Sequence, residues 1–429
     1  MKARWFKGGI AALTCLTMVV AAGCSSNTGN GNSEDVSSNS DKGGKSADTV
    51  KIEYFQMKPE AVDVVNDLIS KFEASNPGIK VEQNNVPNPE NVWSMRVSTK
   101  DAPAVFTHYP HNSVFQKMAK EGQVLDLTND PLMANVQPAI ADLSKIDGKN
   151  YAVPIGVATL GMYYNKEMFA SLGLQPPSTQ AELIDAADKL QAAGITPFYF
   201  HDKDYNGIRQ EVVYKMGQTM PDIEQFLEDV MNGKAHIADN PDFKPFAQSL
   251  LDIRKYGQKD MMGTGYDDAL RAFANGETAM WFTGIWAIKE IKESSPDLDF
   301  AMFPLPTVNA ADIKTQVSVD TAIGLPANGE NEEAARKFIS FMSEKENVET
   351  YLAMAGYPSG IKDVKSSREE ITLLTELITD GKIYPTIERL WPPGVNAEVG
   401  KATQEMFVTG NVDQYLEALD AIFYNKHNQ

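Results

Sequence analysis

Cysteine is almost absent from this chain. Only Cys15 and Cys24 occur among 429 residues, and both lie close to the N-terminus. The long remainder of the sequence therefore has no disulfide and no thiol chemistry. After this N-terminal region no stretch approaches 18 consecutive apolar residues, so no membrane-spanning helix is predicted there.

The motifs of common enzyme classes are also missing. No Gly-x-Ser-x-Gly, phosphate loop or dinucleotide fingerprint occurs. The pair His108 and His111 lacks the acidic residue of a helical zinc site, and Pro110 would break the helix. Ser359 and Lys362 fit Ser-x-x-Lys, but its companion motifs do not follow. We predict no enzyme, although a glycosidase carboxylate pair stays open because Asp and Glu are plentiful.

A calcium site is not predicted either. The segment 202–207 resembles the opening of a calcium loop. Val213 stands where the bidentate Glu belongs, and Glu211 comes two places early. We interpret the segment as a polar turn, and we predict neither a metal nor a cofactor.

Positive charge is scarce. The chain has 39 basic and 58 acidic residues, a net charge of -19. Residues 1–23 contain three basic residues and no acidic one, so the rest carries 36 against 58, a net charge of -22. This excess repels anionic ligands, so nucleic acid is not predicted as a partner.

The N-terminus has the order of an export signal. Three basic residues lie within the first seven positions, an apolar run follows over residues 8–20, and small residues fill 21–23. Cys24 comes next, where a bacterial lipoprotein signal places its lipidated residue, although Ala21 replaces the usual Leu. We predict removal of 1–23 and lipidation of Cys24. The alternative is a secreted protein with a chance cysteine.

The segment that follows is almost entirely polar. Residues 24–48 are rich in Ser, Asn, Gly, Asp and Lys. Such a composition cannot bury enough apolar surface to offset its conformational entropy, so we predict a disordered tether. Ordered sequence begins near Thr49, and the remaining length suits two domains.

Beyond the tether, strand and helix patterns alternate. A capping box at Thr179 and Glu182 begins one helix, Asn331 caps another, and apolar spacing over residues 62–72 indicates a third. This alternation predicts an α/β fold with parallel sheets and helices on both faces. The predicted strands are residues 50–54, 79–86, 104–106, 161–164 and 196–200.

Aromatic residues stand beside polar ones at the predicted strand ends. A flat ring can stack on the apolar face of a sugar while neighbouring polar groups bond its hydroxyls. A single aromatic residue is more often part of a core, but Trp286 follows a glycine turn and is a better site candidate. The aromatic positions of this kind are Tyr54, His108, Tyr109, Tyr199, Tyr205, Trp281, Trp286, Tyr357 and Trp391.

Five segments together resemble the extracellular solute-binding proteins of carbohydrate ABC importers, family 1, which are related to maltose-binding protein. The five occur in the family's order and span essentially residues 49–425. They are 151–166, 172–190, 273–286, 300–306 and 381–422.

The resemblance implies a two-domain periplasmic-binding-protein fold of type II, with the ligand cleft between the domains. Carried onto this chain, domain one is 49–157 plus 320–365 and domain two is 158–319 plus 366–429. The ligand would favour the closed state by touching both domains.

The resemblance also implies site residues. Ala158 stands where the maltose pattern has a ligand-binding Glu, which argues against maltose but not against another sugar. Several stacking platforms suit a di- to oligosaccharide. The predicted ligand-binding residues are Gln56, His108, Tyr109, Tyr205, Trp286, Asp320, Tyr357, Trp391 and Asn396.

The predicted function is a monomeric receptor, lipid-anchored on the extracytoplasmic face of the cell membrane. Its partners would be an oligosaccharide, the permease subunits of an ABC importer and, through them, an ATPase. Two alternatives stay open: a receptor of the same fold for another solute such as a polyamine, and an anchored glycoside hydrolase.

Overall fold

The computed structural model of the protein describes residues 49–86, 89–99, 101–354, 356–364, 368–392 and 394–427. The predicted export signal, Cys24 and the tether lie outside these residues. None of the helices within the described ranges is both long and apolar enough to cross a bilayer.

Strands and helices alternate along the described chain. The strands are β1 Val50–Phe55, β2 Ile79–Asn84, β3 Val105–His108, β4 Val153–Asn165, β5 Met280–Gly284, β6 Phe300–Phe303, β7 Thr315–Gly324 and β8 Ile383–Pro385. The helices are α1 Val62–Ser75, α2 Pro89–Ser98, α3 Ser113–Lys120, α4 Pro138–Leu143, α5 Lys166–Ser171, α6 Gln180–Ala192, α7 Tyr205–Thr219, α8 Ile223–Met231, α9 Phe243–Arg254, α10 Tyr266–Ala274, α11 Ala287–Ser294, α12 Glu332–Met342, α13 Lys345–Ala353, α14 Thr372–Thr379, α15 Val395–Thr409 and α16 Val412–His427.

The first elements follow the sequence patterns closely. The predicted opening strand is β1, which pairs in parallel with β2 and β3. In α1 the periodic residues Val65, Leu68, Ile69 and Phe72 are buried, because that spacing places them on one helix face. The predicted capping box also forms: Thr179 accepts from the Glu182 backbone N–H, and Glu182 accepts from the Thr179 N–H at 3.0 Å.

The sheet is mixed: β1 pairs in parallel with β2 and β3, and β7 with β8, but the prediction of parallel pairing is wrong for the other pairs. The strand order is β2-β1-β3-β7-β4-β5, with β6 beside β4 and β8 beside β7. β7 runs antiparallel to both β3 and β4, and β5 and β6 run antiparallel to β4. The predicted strand 161–164 is the end of the longer β4. β7 brings the chain back between β3 and β4, and it runs in the opposite direction to both.

Two local predictions differ from the structure. Residues 196–200 form no continuous strand; Phe198 alone makes isolated bridges, to Gly257 and Met280. Pro197 has no N–H with which to extend a ladder. Asn331 stands at the N-cap of α12, but its side chain donates to the Lys51 carbonyl at 3.1 Å instead of capping the helix.

Long strand β4 connects separate apolar cores. Its first part, including Val153 and Val157, belongs to a core built mainly from residues 52–157 and 317–361. Its later residue Met162 belongs to a core formed by residues 160–305. Pairing with β7 holds the middle of β4: Thr159 donates to the Gln316 carbonyl at 2.7 Å. The boundaries between the two domains stay a prediction.

A buried ion-pair network fixes the segment 201–204. Arg254 donates to both oxygens of Asp202, at 2.9 and 3.0 Å, and to Glu211 at 2.8 and 3.3 Å. Its guanidinium carbon lies 3.5 Å from the Phe407 ring centroid and 4.4 Å from that of Phe200. Asp202 and Glu211, considered above as calcium ligands, are thus both bound by one arginine.

Replacing Arg254 should strongly destabilise the protein. Arg254→Met leaves two carboxylates buried without their cation, which costs about 3–5 kcal/mol. The free energy of unfolding from urea titration measures the loss. Arg271→Met is the matched control, because the Arg271–Asp268 pair is exposed and its loss costs about 1 kcal/mol or less. Equal losses in the two variants would contradict the role of the network.

Candidate ligand site

Gln56 organises the turn after β1. Its side chain is buried, with 1% of its surface exposed. The Nε2 group donates to the Lys58 carbonyl at 2.7 Å, while Oε1 accepts from the Lys58 backbone N–H. Both ends of the amide are therefore used inside the protein, and Gln56 positions Lys58.

Lys58 joins three of the predicted site residues. Its Nζ forms an ion pair with Asp320 on β7. The same Nζ lies 5.9 Å from the Tyr109 ring centroid and 5.4 Å from that of Tyr357. Thr321 Oγ1 donates to Asp320 at 3.0 Å, which holds the carboxylate in place. Ion pair and rings form one cluster, which we call the Lys58 cluster.

Sequence reasoning missed Lys58. A lysine is usually an exposed residue, yet only 5% of this one is exposed. The available signal was its position just after the first strand and directly before Pro59, where the chain turns.

His108 is a buried residue at the end of β3. Its Nδ1 accepts the Tyr109 backbone N–H at 2.8 Å, and its ring lies 5.1 Å from that of Phe115. Burial lowers the pKa of His108 to about 4. The ring is therefore neutral near pH 7, and its contact with the Tyr109 backbone positions the tyrosine beside Lys58.

A polar cavity of about 110 Å³ lies near the Lys58 cluster. His111, Ser318, Thr386 and Arg389 help to line it. Three buried polar atoms of residues that line this cavity have no hydrogen-bond partner among the described residues: His111 Nδ1, Thr386 Oγ1 and Arg389 Nε. Burial lowers the pKa of His111, while the nearby Asp320 carboxylate opposes that shift. Unpaired buried groups are costly, so this cavity suits hydroxyl groups or water.

Trp286 lies at a second position, directly before α11. It is partly buried and packs against Gly284: a Cβ added there would come within 1.9 Å of the indole ring. A larger residue at position 284 would therefore displace the indole ring from this place. Trp286 and Tyr357 both pack against the apolar core that contains Trp281 and Phe300. Tyr357 also packs against the core around β1, so it contacts both that core and the one against which Trp286 packs.

The remaining predicted residues lie around α7 and α15. Tyr205 begins α7, and its carbonyl oxygen would be 2.4 Å from a Cβ added at Gly400 on α15. Asn396 is exposed in the first turn of α15. Trp391 is 8% exposed, and its ring packs edge-on against Phe423 at 5.1 Å. The structure thus brings together Gln56, His108, Tyr109, Asp320 and Tyr357. It places Tyr205, Asn396 and Trp391 elsewhere, around α7 and α15.

The site offers aromatic faces, one neutral ion pair and unpaired polar atoms. Within the described residues, no group of three or more His, Cys, Asp or Glu side chains is arranged to hold a metal ion. This arrangement suits the binding of a polar, uncharged molecule by stacking and hydrogen bonds.

Comparisons with known proteins give the family. Residues 58–349, more than half of the chain, match the model of the bacterial extracellular solute-binding protein family. The chain belongs to this family. The resemblance predicted from the sequence is thereby confirmed, and so is a binding protein rather than an enzyme.

Several relatives cover most of the chain. The multiple sugar-binding protein of Streptococcus mutans is 27% identical over 426 residues, 98% of either chain. The melibiose/raffinose/stachyose-binding protein MelE of Bacillus subtilis is 23% identical over 381 residues, 84% of this chain and 86% of MelE.

Solved structures confirm the two-domain α/β fold. The apo form of RafE from Streptococcus pneumoniae matches with a TM-score of 0.81 at 29% identity, covering 90% of this chain and 100% of RafE. RafE in complex with raffinose matches with a TM-score of 0.73 at 29% identity, covering 88% of this chain and 100% of RafE.

Acid should destabilise the protein partly through His108. In the unfolded protein His108 has a pKa of about 6.5, whereas in the folded protein its pKa is about 4. Between these values the unfolded state binds a proton that the folded state does not, so the free energy of unfolding falls as the pH falls. The difference amounts to about 3 kcal/mol at pH 4. His108→Asn keeps an acceptor for the Tyr109 N–H and removes the titration. Its unfolding free energy should depend less on pH than that of the wild type. Parallel curves for the two proteins would contradict the prediction.

Proposed function

We propose that this protein is the lipid-anchored receptor of an ABC importer that captures a di- to oligosaccharide. The observation that carries this proposal is the Lys58 cluster, where two tyrosine rings flank a buried ion pair beside a cavity with unpaired polar atoms. Rings supply stacking faces, and the ion pair and cavity supply hydrogen bonds to hydroxyl groups.

The relatives support a sugar of this size. Their names specify multiple sugars, melibiose, raffinose and stachyose, and RafE has been solved with raffinose. Melibiose, raffinose and stachyose contain two, three and four sugar rings. Raffinose is therefore the first ligand to test.

Charge in the site argues against a polyamine. The Asp320 carboxylate is already paired with Lys58, so this cluster has no excess negative charge to attract a cation. A polyammonium ligand would also lie near the Lys58 ammonium, and like charges repel. A neutral sugar meets neither obstacle.

Capture proceeds by closure of two domains in this proposal. Domain one is 49–157 plus 320–365 and domain two is 158–319 plus 366–429, joined by the paired strands β4 and β7. The chain matches the apo form of RafE with a higher TM-score than the raffinose complex, so its fold is more similar to that of the ligand-free relative. A sugar that touches both domains stabilises the closed state. The permease subunits, linked to an ATPase, would then receive the sugar from the monomeric receptor.

Raffinose should bind the exported chain, and loss of Trp286 should weaken the binding. Binding measured by calorimetry should show a Kd about 10- to 100-fold higher in Trp286→Ala, because a stacking face is lost. Tyr424→Ala is the matched control, since this aromatic residue is 49% exposed on α16. Its Kd should equal that of the wild type.

Trp391→Phe is measured in the same way, with its melting temperature recorded, because Trp391 is also part of an apolar core.

Other ligands decide between the functions. Spermidine binding without any response to melibiose, raffinose or stachyose would favour the polyamine receptor. Release of monosaccharides on long incubation would identify a hydrolase and overturn the proposal.

Lipidation should depend on Cys24. The Cys24→Ala variant should appear free in the medium or periplasm, incorporate no labelled palmitate and bind raffinose as the wild type does. Ser26→Ala is the control, because it changes the neighbouring sequence without removing the thiol. Membrane retention of the Cys24→Ala protein would contradict the anchor while leaving the receptor function intact.

A further inference from the structure

A second cavity lies inside the sheet-and-helix layer that contains α7. Its volume is about 50 Å³, and the space that opens from it to solvent brings the total to about 730 Å³. Apolar side chains make up half of its lining and come from several elements. Among them are Leu183, Phe198, Phe282 and Leu305. Neither the Lys58 cluster nor Trp286 lines this cavity.

Charged residues on one face of α7 also line this cavity. Glu211 and Lys215 are four residues apart, so they lie on the same side of the helix. Glu211 is engaged by Arg254. Lys215 has no hydrogen-bond or ion-pair partner in the part of the chain that the structure describes. Its ammonium group therefore lines a largely apolar cavity without an acceptor of its own.

A second polar group in the cavity is incompletely bonded. Gln218 donates through Nε2 to the Leu305 carbonyl at 2.6 Å, which fixes the orientation of its amide. Its Oε1 is buried and has no partner among the described residues. Among the described residues that line it, the cavity thus combines an apolar wall with two polar groups that lack a hydrogen-bond partner, the Lys215 ammonium and Gln218 Oε1.

We propose that this cavity binds a small carboxylate with an apolar body, and that it does so independently of the sugar. The carboxylate would accept from the Lys215 ammonium, and the apolar body would lie against Leu183, Phe198 and Phe282. A cation is disfavoured because Lys215 would repel it. A neutral polar molecule would leave the apolar wall unused.

The charges around Lys215 set the pH dependence. Burial lowers the pKa of Lys215 to about 8; Glu211 and Asp252 raise it and Arg254 lowers it. His201 and Asp202, on the segment before α7, also line the cavity. A bound carboxylate favours the protonated lysine. Affinity should therefore be constant well below pH 8 and fall up to tenfold per pH unit above it.

Straight-chain carboxylates test the proposal. Butyrate, hexanoate and octanoate are titrated into the full exported chain and followed by ligand-observed NMR. Affinity should rise about fourfold for each methylene that becomes buried. In Lys215→Met, hexanoate should bind at least tenfold more weakly, while 1-hexanol, with the same chain length, should bind unchanged. Raffinose binding should be the same in both proteins.

Two further results complete the test. The pH profile in the wild type needs no variant, so it applies even if Lys215→Met folds poorly. Leu183→Trp, which fills the cavity, should abolish binding of hexanoate and hexanol alike. The proposal is overturned if hexanoate does not bind at millimolar concentration, if Lys215→Met binds it equally well, or if affinity does not change between pH 7 and pH 9.5.

Discussion

Antiparallel pairing of β4 with β7 is the constraint on which the rest of the structure depends. The register runs from Val153 opposite Ile323 to Thr159 opposite Val317, with an irregularity at Gly156. β7 also pairs with β3 on its other side. Asp320 therefore lies on the strand between β3 and β4. The segment 357–361 lies beside the same two strands, because Ser359 bridges Gly156 on β4. The Lys58 cluster forms only because these stretches of chain meet at one place; it contains Lys58, Tyr109, Asp320 and Tyr357.

Close packing at the irregularity makes the crossing specific. A Cβ at Gly156 would come within 2.8 Å of Leu352 Cδ2. The two strands also share a chain of hydroxyl groups: Thr159 lies 2.8 Å from Thr315, which lies 3.2 Å from the Tyr214 hydroxyl. These bonds tie the far end of the crossing to α7. The β4–β7 pairing is therefore fixed by close packing at one end and by side-chain hydrogen bonds at the other.

The elements that sequence reasoning predicted well are those governed by local patterns. Strand β1, helix α1 and the Thr179–Glu182 capping box each depend on neighbours within a few residues. The order and direction of strands could not be predicted in this way, because β7 joins β3 and β4 from a distant part of the chain. The same holds for Lys58, whose burial requires Asp320. Trp391 is a further example, because its neighbours in the sequence do not reveal that the distant Phe423 packs against its ring.

Strand β7 also has a consequence for the order of synthesis. His108 on β3 pairs with Ala322 on β7, more than two hundred residues later. The core around β1 therefore stays incomplete until most of the chain has been made, and pairing over such a distance is slow because loop closure costs entropy. The topology that brings Asp320 beside Lys58 thus also makes closure of the first core wait for β7.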